Sequence, residues 1–156
     1  MFYLEDLTVG ARYDAGPVAV DPDELIAFAG RFDPQPFHTD PEAAKASLFG
    51  GLAASGWMTA SLTMRMLIAS QKIPAGGLIA RKIENLEWPL PVRPGDTLRA
   101  TSEVIEILPS KSRPDRGMVR MRTETVNQDG ATVQVLTALL VVPRRSGANA
   151  AAKADA

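Results

Sequence analysis

The sequence contains no cysteine and only one histidine, and these two scarcities remove several classes of site. Without cysteine there is no disulfide, no thiolate metal ligand and no cysteine nucleophile. A single histidine also excludes a multi-histidine metal site within one chain. The formal net charge is only −1, so the chain has no electrostatic footprint for nucleic acid or for an acidic membrane surface. At 156 residues it is long enough for one domain with one core.

Long uncharged hydrophobic runs are also missing. The longest apolar-rich stretch, Leu52 to Ser70, includes Arg65 and several serines and threonines, which predicts a buried helix and not a membrane span. The N-terminus has no basic start and is acidic by Glu5, so no signal peptide is visible. We therefore expect a cytoplasmic location by default.

The first half of the chain predicts one strand followed by helices. Residues 11–20 are β-compatible. Asp21 followed by Pro22 is a typical helix start, with an N-cap and a first-turn proline, and predicts a helix over 22–31. The same pattern at Asp40 and Pro41 predicts a short helix over 41–47. A long helix over about 55–71 carries one charge, so we expect it to be enclosed nearly all round.

The second half predicts strands. Residues 78–88, 97–108, 118–127 and 131–142 alternate or are rich in apolar residues, with turn signals between them. Helices grouped first and strands last indicate an α+β fold, here an antiparallel β-sheet wrapped around one long central α-helix. Residues 144–156 form an alanine-rich polar tail without a pattern, which we expect to be disordered.

The stretch from Phe32 to Gly56 holds the residues best suited to chemistry. The only histidine, His38, lies five residues after Asp33, and Pro34 and Pro36 stiffen the segment between them. Proline fixes φ and disfavours helix in the preceding residue, so we expect an ordered, extended turn. A carboxylate and an imidazole held in one rigid segment are suited to acid–base chemistry.

Each of these residues also has a purely structural interpretation. His38 could simply bond a backbone group, and Asp33 could simply form a turn before proline. Asp40 fits an N-cap better than a catalyst, and Ser55 fits the N-cap of the long helix. Gly56 could be a close-packing glycine.

The motif Asp33-x-Gln35-Pro36-x-His38-x-Asp40 resembles that of the MaoC-like dehydratases, the hotdog-fold (R)-specific enoyl-CoA hydratases. Gly56 lies eighteen residues after His38, and Val92-Arg-Pro-Gly-Asp-Thr-Leu98 follows downstream, which adds to the resemblance. The resemblance covers about residues 5–143 and implies a single MaoC-like hotdog domain over 1–143. It also implies a homodimer or a higher homo-oligomer of dimers.

The resemblance implies syn hydration of a 2-enoyl-CoA thioester or the reverse dehydration. Asp33 and His38 would hold the water, and the Gly56 N–H at the start of the long helix would stabilise the enolate oxygen. Gln35, Ser55 and Trp57 would contact the substrate. No metal or redox cofactor is implied, and coenzyme A would enter only as part of the substrate.

Three positions differ from the family pattern, and three other functions stay open. Gln35 replaces the usual asparagine, Ser55 replaces a frequent histidine, and Phe32 replaces a small glycine, which points to a divergent subgroup with its own substrate preference. The alternatives are dehydration of an acyl group on acyl carrier protein, a non-catalytic acyl-CoA-binding module, and thioester hydrolysis. Hydrolysis is disfavoured because the long helix has no Asp or Glu between Ser55 and Ser70.

Overall fold

A computed structural model describes residues 1–145, which form a five-stranded antiparallel sheet and four α-helices. The strands, in spatial order β1-β3-β4-β5-β2, are β1 (Arg12–Ala19), β2 (Ile79–Glu87), β3 (Thr97–Pro109), β4 (Arg116–Val126) and β5 (Thr132–Pro143). The helices are α1 (Pro22–Phe32), α2 (Pro36–Thr39), α3 (Pro41–Lys45) and α4 (Gly56–Ala69). All four helices lie between β1 and β2 in the chain, so the predicted α+β order is confirmed.

Side-chain caps explain where α1 and α3 begin. The Asp21 carboxylate accepts hydrogen bonds from the backbone N–H groups of Asp23 and Glu24, at 2.8 and 2.9 Å, and starts α1. Asp40 caps α3 in the same way, so the N-cap interpretation of Asp40 is confirmed. Such caps satisfy N–H groups that have no partner inside the helix.

The segment before His38 is only partly extended. Asp33 and Gln35 have non-helical backbone angles, but Pro36 begins the short helix α2, and His38 lies on it. The expectation of an extended turn through His38 is therefore wrong. The physical reason is that proline suits the first position of a helix, as Pro22 and Pro41 also show in this chain.

The core has two parts on the sheet. One part lies under α4 and includes Leu25, Met58, Leu62, Met66 and Leu98. The other lies towards the N-terminal segment, where Phe2, Leu4 and Leu7 pack on β3, β4 and β5. Alternate residues of β4 are buried, as the period of a strand with one core-facing side requires.

Helix α4 is covered by the sheet on one side only. Met58, Leu62 and Met66 are buried, but Trp57 is 60% exposed and Met64 and Ile68 are 41% and 46% exposed. The prediction that the helix is enclosed nearly all round is therefore wrong for a single chain. A uniformly apolar helix indicates that its faces are covered, but the sequence does not say by what.

The C-terminal strand is followed by two arginines that hold the N-terminal turn. Arg144 lies 3.6 Å from the Glu5 carboxylate, and Arg145 pairs with Asp6. Residues 146–156, the rest of the predicted disordered tail, lie outside the described residues, so that prediction stays a prediction. None of the helices in residues 1–145 has the length and apolar character needed to cross a membrane.

Candidate active site

The two ring nitrogens of His38 face different partners. His38 is 5% exposed, and its Nδ1 lies 2.8 Å from the backbone carbonyl oxygen of Ala53. Its Nε2 lies 3.3 Å from Oδ2 of Asp33. The five-residue spacing in the sequence therefore does bring the carboxylate and the imidazole together.

The Ala53 carbonyl fixes which nitrogen carries a permanent proton. A carbonyl oxygen can only accept a hydrogen bond, so Nδ1 must be the donor in both the neutral and the charged imidazole. Nε2 is then the atom that gains and loses a proton, and it points to Asp33. This arrangement is the one in which a hydrogen bond to one nitrogen sets the role of the other.

Asp33 is held by two neutral donors. The Ser55 hydroxyl donates to Oδ2 at 2.7 Å, and the Gln35 amide donates to Oδ1, also at 2.7 Å. These two hydrogen bonds, with a smaller contribution from the charge of His38, lower the pKa of Asp33, although partial burial opposes them. Asp33 is therefore ionised at neutral pH, because hydrogen bonds to a carboxylate favour its charged form.

Ser55 links this carboxylate to the start of α4. Its side chain is fully buried, and its oxygen also accepts a hydrogen bond from the Trp57 N–H at 3.3 Å. Its predicted role as the N-cap of the long helix is confirmed. Both contacts of the hydroxyl are to protein groups, so its predicted contact with substrate stays a prediction.

A cavity of about 410 Å³ opens at the Asp33–His38 pair. Its polar lining comes from Asp33, Gln35, His38 and Thr59. The rest of its lining is mainly apolar: Phe37, Phe49, Ala54, Gly56, Trp57, Trp88, Pro89, Leu90, Pro91 and Val92. An apolar cleft that contains a small number of polar groups is typical of a small-molecule site.

Gly56 lies in this cavity wall at the first position of α4. A Cβ on Gly56 would come within 2.7 Å of the Trp88 ring, so the close-packing interpretation of this glycine is correct. That interpretation does not compete with the second one. Within residues 1–145 the Gly56 N–H has no hydrogen-bond acceptor, and it belongs to the electropositive end of a helix of 14 residues.

Sequence reasoning missed three contributors to the site. The Ala53 carbonyl has no sequence signal, because any residue supplies one. Trp88 was predicted only as the end of a strand, yet its indole N–H donates to the fully buried Gln134 side chain at 2.9 Å and its ring lines the cavity. Arg93 donates hydrogen bonds to the carbonyl groups of Phe49, Gly51 and Leu52, just before Ala53. It belongs to the Val92–Leu98 motif, which is a sequence signal that could have identified it.

Comparison with known proteins gives a family for this arrangement. The family model described as "MaoC like domain" matches residues 6–128. A crystal structure of a MaoC-like dehydratase from Rhodospirillum rubrum is 53% identical, with a TM-score of 0.90, and the match covers 93% of this chain and 99% of that one.

Two relatives with named activities are more distant. An unliganded R-hydratase from Pseudomonas aeruginosa is 28% identical with a TM-score of 0.74, over 92% of this chain and 86% of that one. An "(R)-specific enoyl-CoA hydratase" of Rhodospirillum rubrum is 29% identical over 146 residues, covering 93% of this chain and 94% of the relative.

Proposed function

The chain belongs to the MaoC-like domain family, and from that premise we propose that it hydrates a 2-enoyl-CoA thioester, or dehydrates the (R)-3-hydroxyacyl-CoA in reverse. Its fold is the hotdog fold of its structural neighbours. The relatives with named hydratase or dehydratase activity support a hydro-lyase activity for this chain. The observation that carries the proposal is the contact of His38 Nε2 with Asp33 at 3.3 Å in the wall of an apolar cavity.

The geometry favours His38 as the group that moves the proton. Asp33 has a lowered pKa and two donors on its oxygens, so it is a weak base and a good partner for a cation. Neutral His38 has its free lone pair on Nε2. We assign to Nε2 the removal of a proton from water, while Asp33 stabilises the imidazolium that forms.

The remaining steps balance without another reactant. As Nε2 takes one proton, the water oxygen bonds to the β-carbon, and the electrons of the double bond move to the thioester oxygen as an enolate. We assign the stabilisation of that negative charge to the Gly56 N–H. Nε2–H then protonates the α-carbon, so the net change is addition of one water molecule to the same face of the double bond.

The test is the loss of the enoyl-thioester absorbance when the purified protein meets crotonyl-CoA. We expect hydration by the wild type and a decrease of roughly a hundredfold or more in kcat for His38→Ala and for Asp33→Asn. Asp40→Asn is the matched control, because asparagine also caps helices and Asp40 caps α3. Undiminished activity in both site variants would contradict the assignment.

Further measurements with crotonyl thioesters separate the alternative functions. Release of free thiol from crotonyl-CoA would indicate hydrolysis, and binding without turnover would indicate a binding module. A comparison of crotonyl-CoA with the crotonyl group on acyl carrier protein decides between the two carriers, since the Asp33–His38 chemistry would serve both.

We also propose that the chain forms a homodimer through the β2 edge of its sheet. Ile79 and Ile83 on this edge strand are 57% and 48% exposed, and an unpaired edge with apolar side chains is a template for pairing. Light scattering should show a dimer for the wild type and a monomer for Ile83→Lys. Ile105→Lys, at an exposed position on the interior strand β3, is the control, and a monomeric wild type would refute the proposal.

A further inference from the structure

We propose that Arg93 is a positioning residue for the catalytic histidine, acting through the backbone carbonyl of Ala53. Arg93 itself lies outside the lining of the active-site cavity. Its guanidinium donates three hydrogen bonds to backbone oxygens: to Gly51 at 2.8 Å, to Leu52 at 3.1 Å and to Phe49 at 2.5 Å. The next residue after this bonded segment is Ala53.

The unusual feature of Arg93 is that its charged guanidinium is hydrogen-bonded to backbone carbonyl groups. Among residues 1–145 it forms no salt bridge with a carboxylate. A planar guanidinium with several donors in a fixed geometry can hold several acceptors at once, which the single ammonium of lysine cannot do in the same way. Hydrogen bonds with a charged donor are also stronger than neutral ones.

The segment that Arg93 holds needs such a constraint. It contains Gly50, with a φ of +62°, and Gly51, and glycine has the largest backbone freedom of all residues. The other direct link from this segment to the turn before β3 is the Ala54 N–H, which donates to the Val92 carbonyl at 2.8 Å. The Ala53 N–H also donates to the Phe37 carbonyl, at 3.2 Å. Without Arg93 these two backbone bonds remain, but three side-chain bonds to residues 49–52 are lost.

The backbone of Arg93 is itself held by a buried carboxylate. Its backbone N–H donates to Oδ2 of the buried Asp96 at 2.7 Å, and Oδ1 of Asp96 accepts a hydrogen bond from the Gln128 amide at 3.0 Å. A continuous series of hydrogen bonds therefore runs from Asp96, just before β3, through Arg93 to residues 49–52, which Ala53 follows. The Ala53 carbonyl then determines that Nδ1 of His38 carries the proton.

The physical consequence concerns the tautomer of His38. If the Ala53 carbonyl moves, Nδ1 loses its fixed acceptor, and a fraction of neutral imidazole carries its proton on Nε2, where it cannot act as a base. Misplacement of a catalytic group by about 1 Å can cost roughly a hundredfold in rate. We expect Arg93→Ala to lower kcat about 10- to 100-fold. KM should rise by a smaller factor, because the Phe49 carbonyl loses its bond to Arg93 and Phe49 lines the substrate cavity.

The chain offers a direct readout, because His38 is its only histidine. In untagged, ¹⁵N-labelled protein, imidazole NMR therefore reports one ring, and its nitrogen shifts distinguish the Nδ1–H from the Nε2–H tautomer. We expect Nδ1–H for the neutral ring of the wild type, and a mixture of both tautomers in Arg93→Ala. Arg99→Ala, an exposed arginine on β3, is the control and should leave both spectrum and kinetics unchanged.

The kinetic part rests on the proposed function, but the NMR part does not. Absence of hydration by the wild type would refute the proposed function while the tautomer spectra still test Arg93. A pure Nδ1–H spectrum in Arg93→Ala, or a wild type without the Nδ1–H form, would overturn the inference. If Arg93→Ala does not fold, Arg93→Lys is the deciding variant, because it keeps the positive charge but not the planar guanidinium. A wild-type spectrum and a wild-type kcat in Arg93→Lys would also overturn the inference.

Discussion

Replacing Ser55 with alanine should destabilise the protein by an amount that depends on pH. The Ser55 oxygen makes two contacts: it caps α4 through the Trp57 N–H, and its hydroxyl donates to Asp33. Loss of an N-cap costs about 1 kcal/mol. Loss of a hydrogen bond to a charged group costs about 1.5 to 3 kcal/mol, and the lower figure fits Asp33, whose side chain is 19% exposed.

The total expected at pH 7 is therefore about 2.5 kcal/mol of unfolding free energy. The sign of the pH dependence follows from Asp33. Its pKa is lowered in the folded protein, with the Ser55 hydrogen bond as the first cause, so this stabilisation is present above the pKa of the unfolded chain. It is lost as the pH falls through the lowered pKa of the folded state, because protonated Asp33 no longer attracts the hydroxyl as strongly.

Urea unfolding followed by tryptophan fluorescence measures this difference at pH 7 and at successively lower pH, as long as the wild type remains folded. The difference between wild type and Ser55→Ala should shrink from about 2.5 towards about 1 kcal/mol, the cap alone. Ser61→Ala is the control, because Ser61 is exposed on the same helix and bonds only the Trp57 carbonyl. A difference that is independent of pH, or below about 0.5 kcal/mol at pH 7, would refute this account of Asp33.

Three further substitutions test the packing around the site. Gly56→Ala should destabilise by about 1 to 3 kcal/mol in urea unfolding, because the new Cβ would meet the Trp88 ring at 2.7 Å; wild-type stability would show that the ring can move aside. Gln134→Leu should lower the free energy of unfolding by about 1 to 3 kcal/mol, because the Trp88 indole N–H loses its acceptor. An unchanged Trp88 fluorescence emission, measured in a Trp57→Phe background, would contradict this loss. Leu25→Ala should cost about 2 to 5 kcal/mol because Leu25 is fully buried, and thermal unfolding should show a far smaller effect for the exposed Leu48→Ala.

Local signals in the sequence were sufficient for most of the fold. The Asp21-Pro22 and Asp40-Pro41 pairs located two helix starts, because capping depends on residues that are neighbours in the chain. Alternation located β3 and β4 to within about two residues. The same rule does not reach α2, because the residue before Pro36 is Gln35, which makes no side-chain cap.

Long-range relations were out of reach. The apolar pattern of α4 did not reveal that Trp57, Met64 and Ile68 are uncovered in one chain. Gln134 lies in the strand predicted to be the most apolar. Its buried side-chain amide is hydrogen-bonded to Trp88, just after β2, and to Thr63 of α4. Nothing local announces such partners, because they are brought together only by the fold.

The candidate site divides in the same way. The proximity of Asp33 and His38 was predicted from their spacing, and in the structure their side chains lie 3.3 Å apart. The roles that we propose for the two residues depend on the backbone carbonyl of Ala53, 15 residues after His38. They also depend on Arg93, whose guanidinium bonds residues 41 to 44 positions earlier in the chain. Side-chain motifs can identify the reacting groups, but not the backbone that orients them.

The most direct test of the central claim is a double-mutant cycle on Asp33 and His38 with crotonyl-CoA as substrate. If the two side chains act as one unit on one water molecule, Asp33→Asn and His38→Ala should each lower kcat by roughly a hundredfold or more, and the double variant should be little worse than either. Losses that multiply in the double variant would mean that the two residues act independently. Retained hydration in the double variant would place the chemistry elsewhere in the protein.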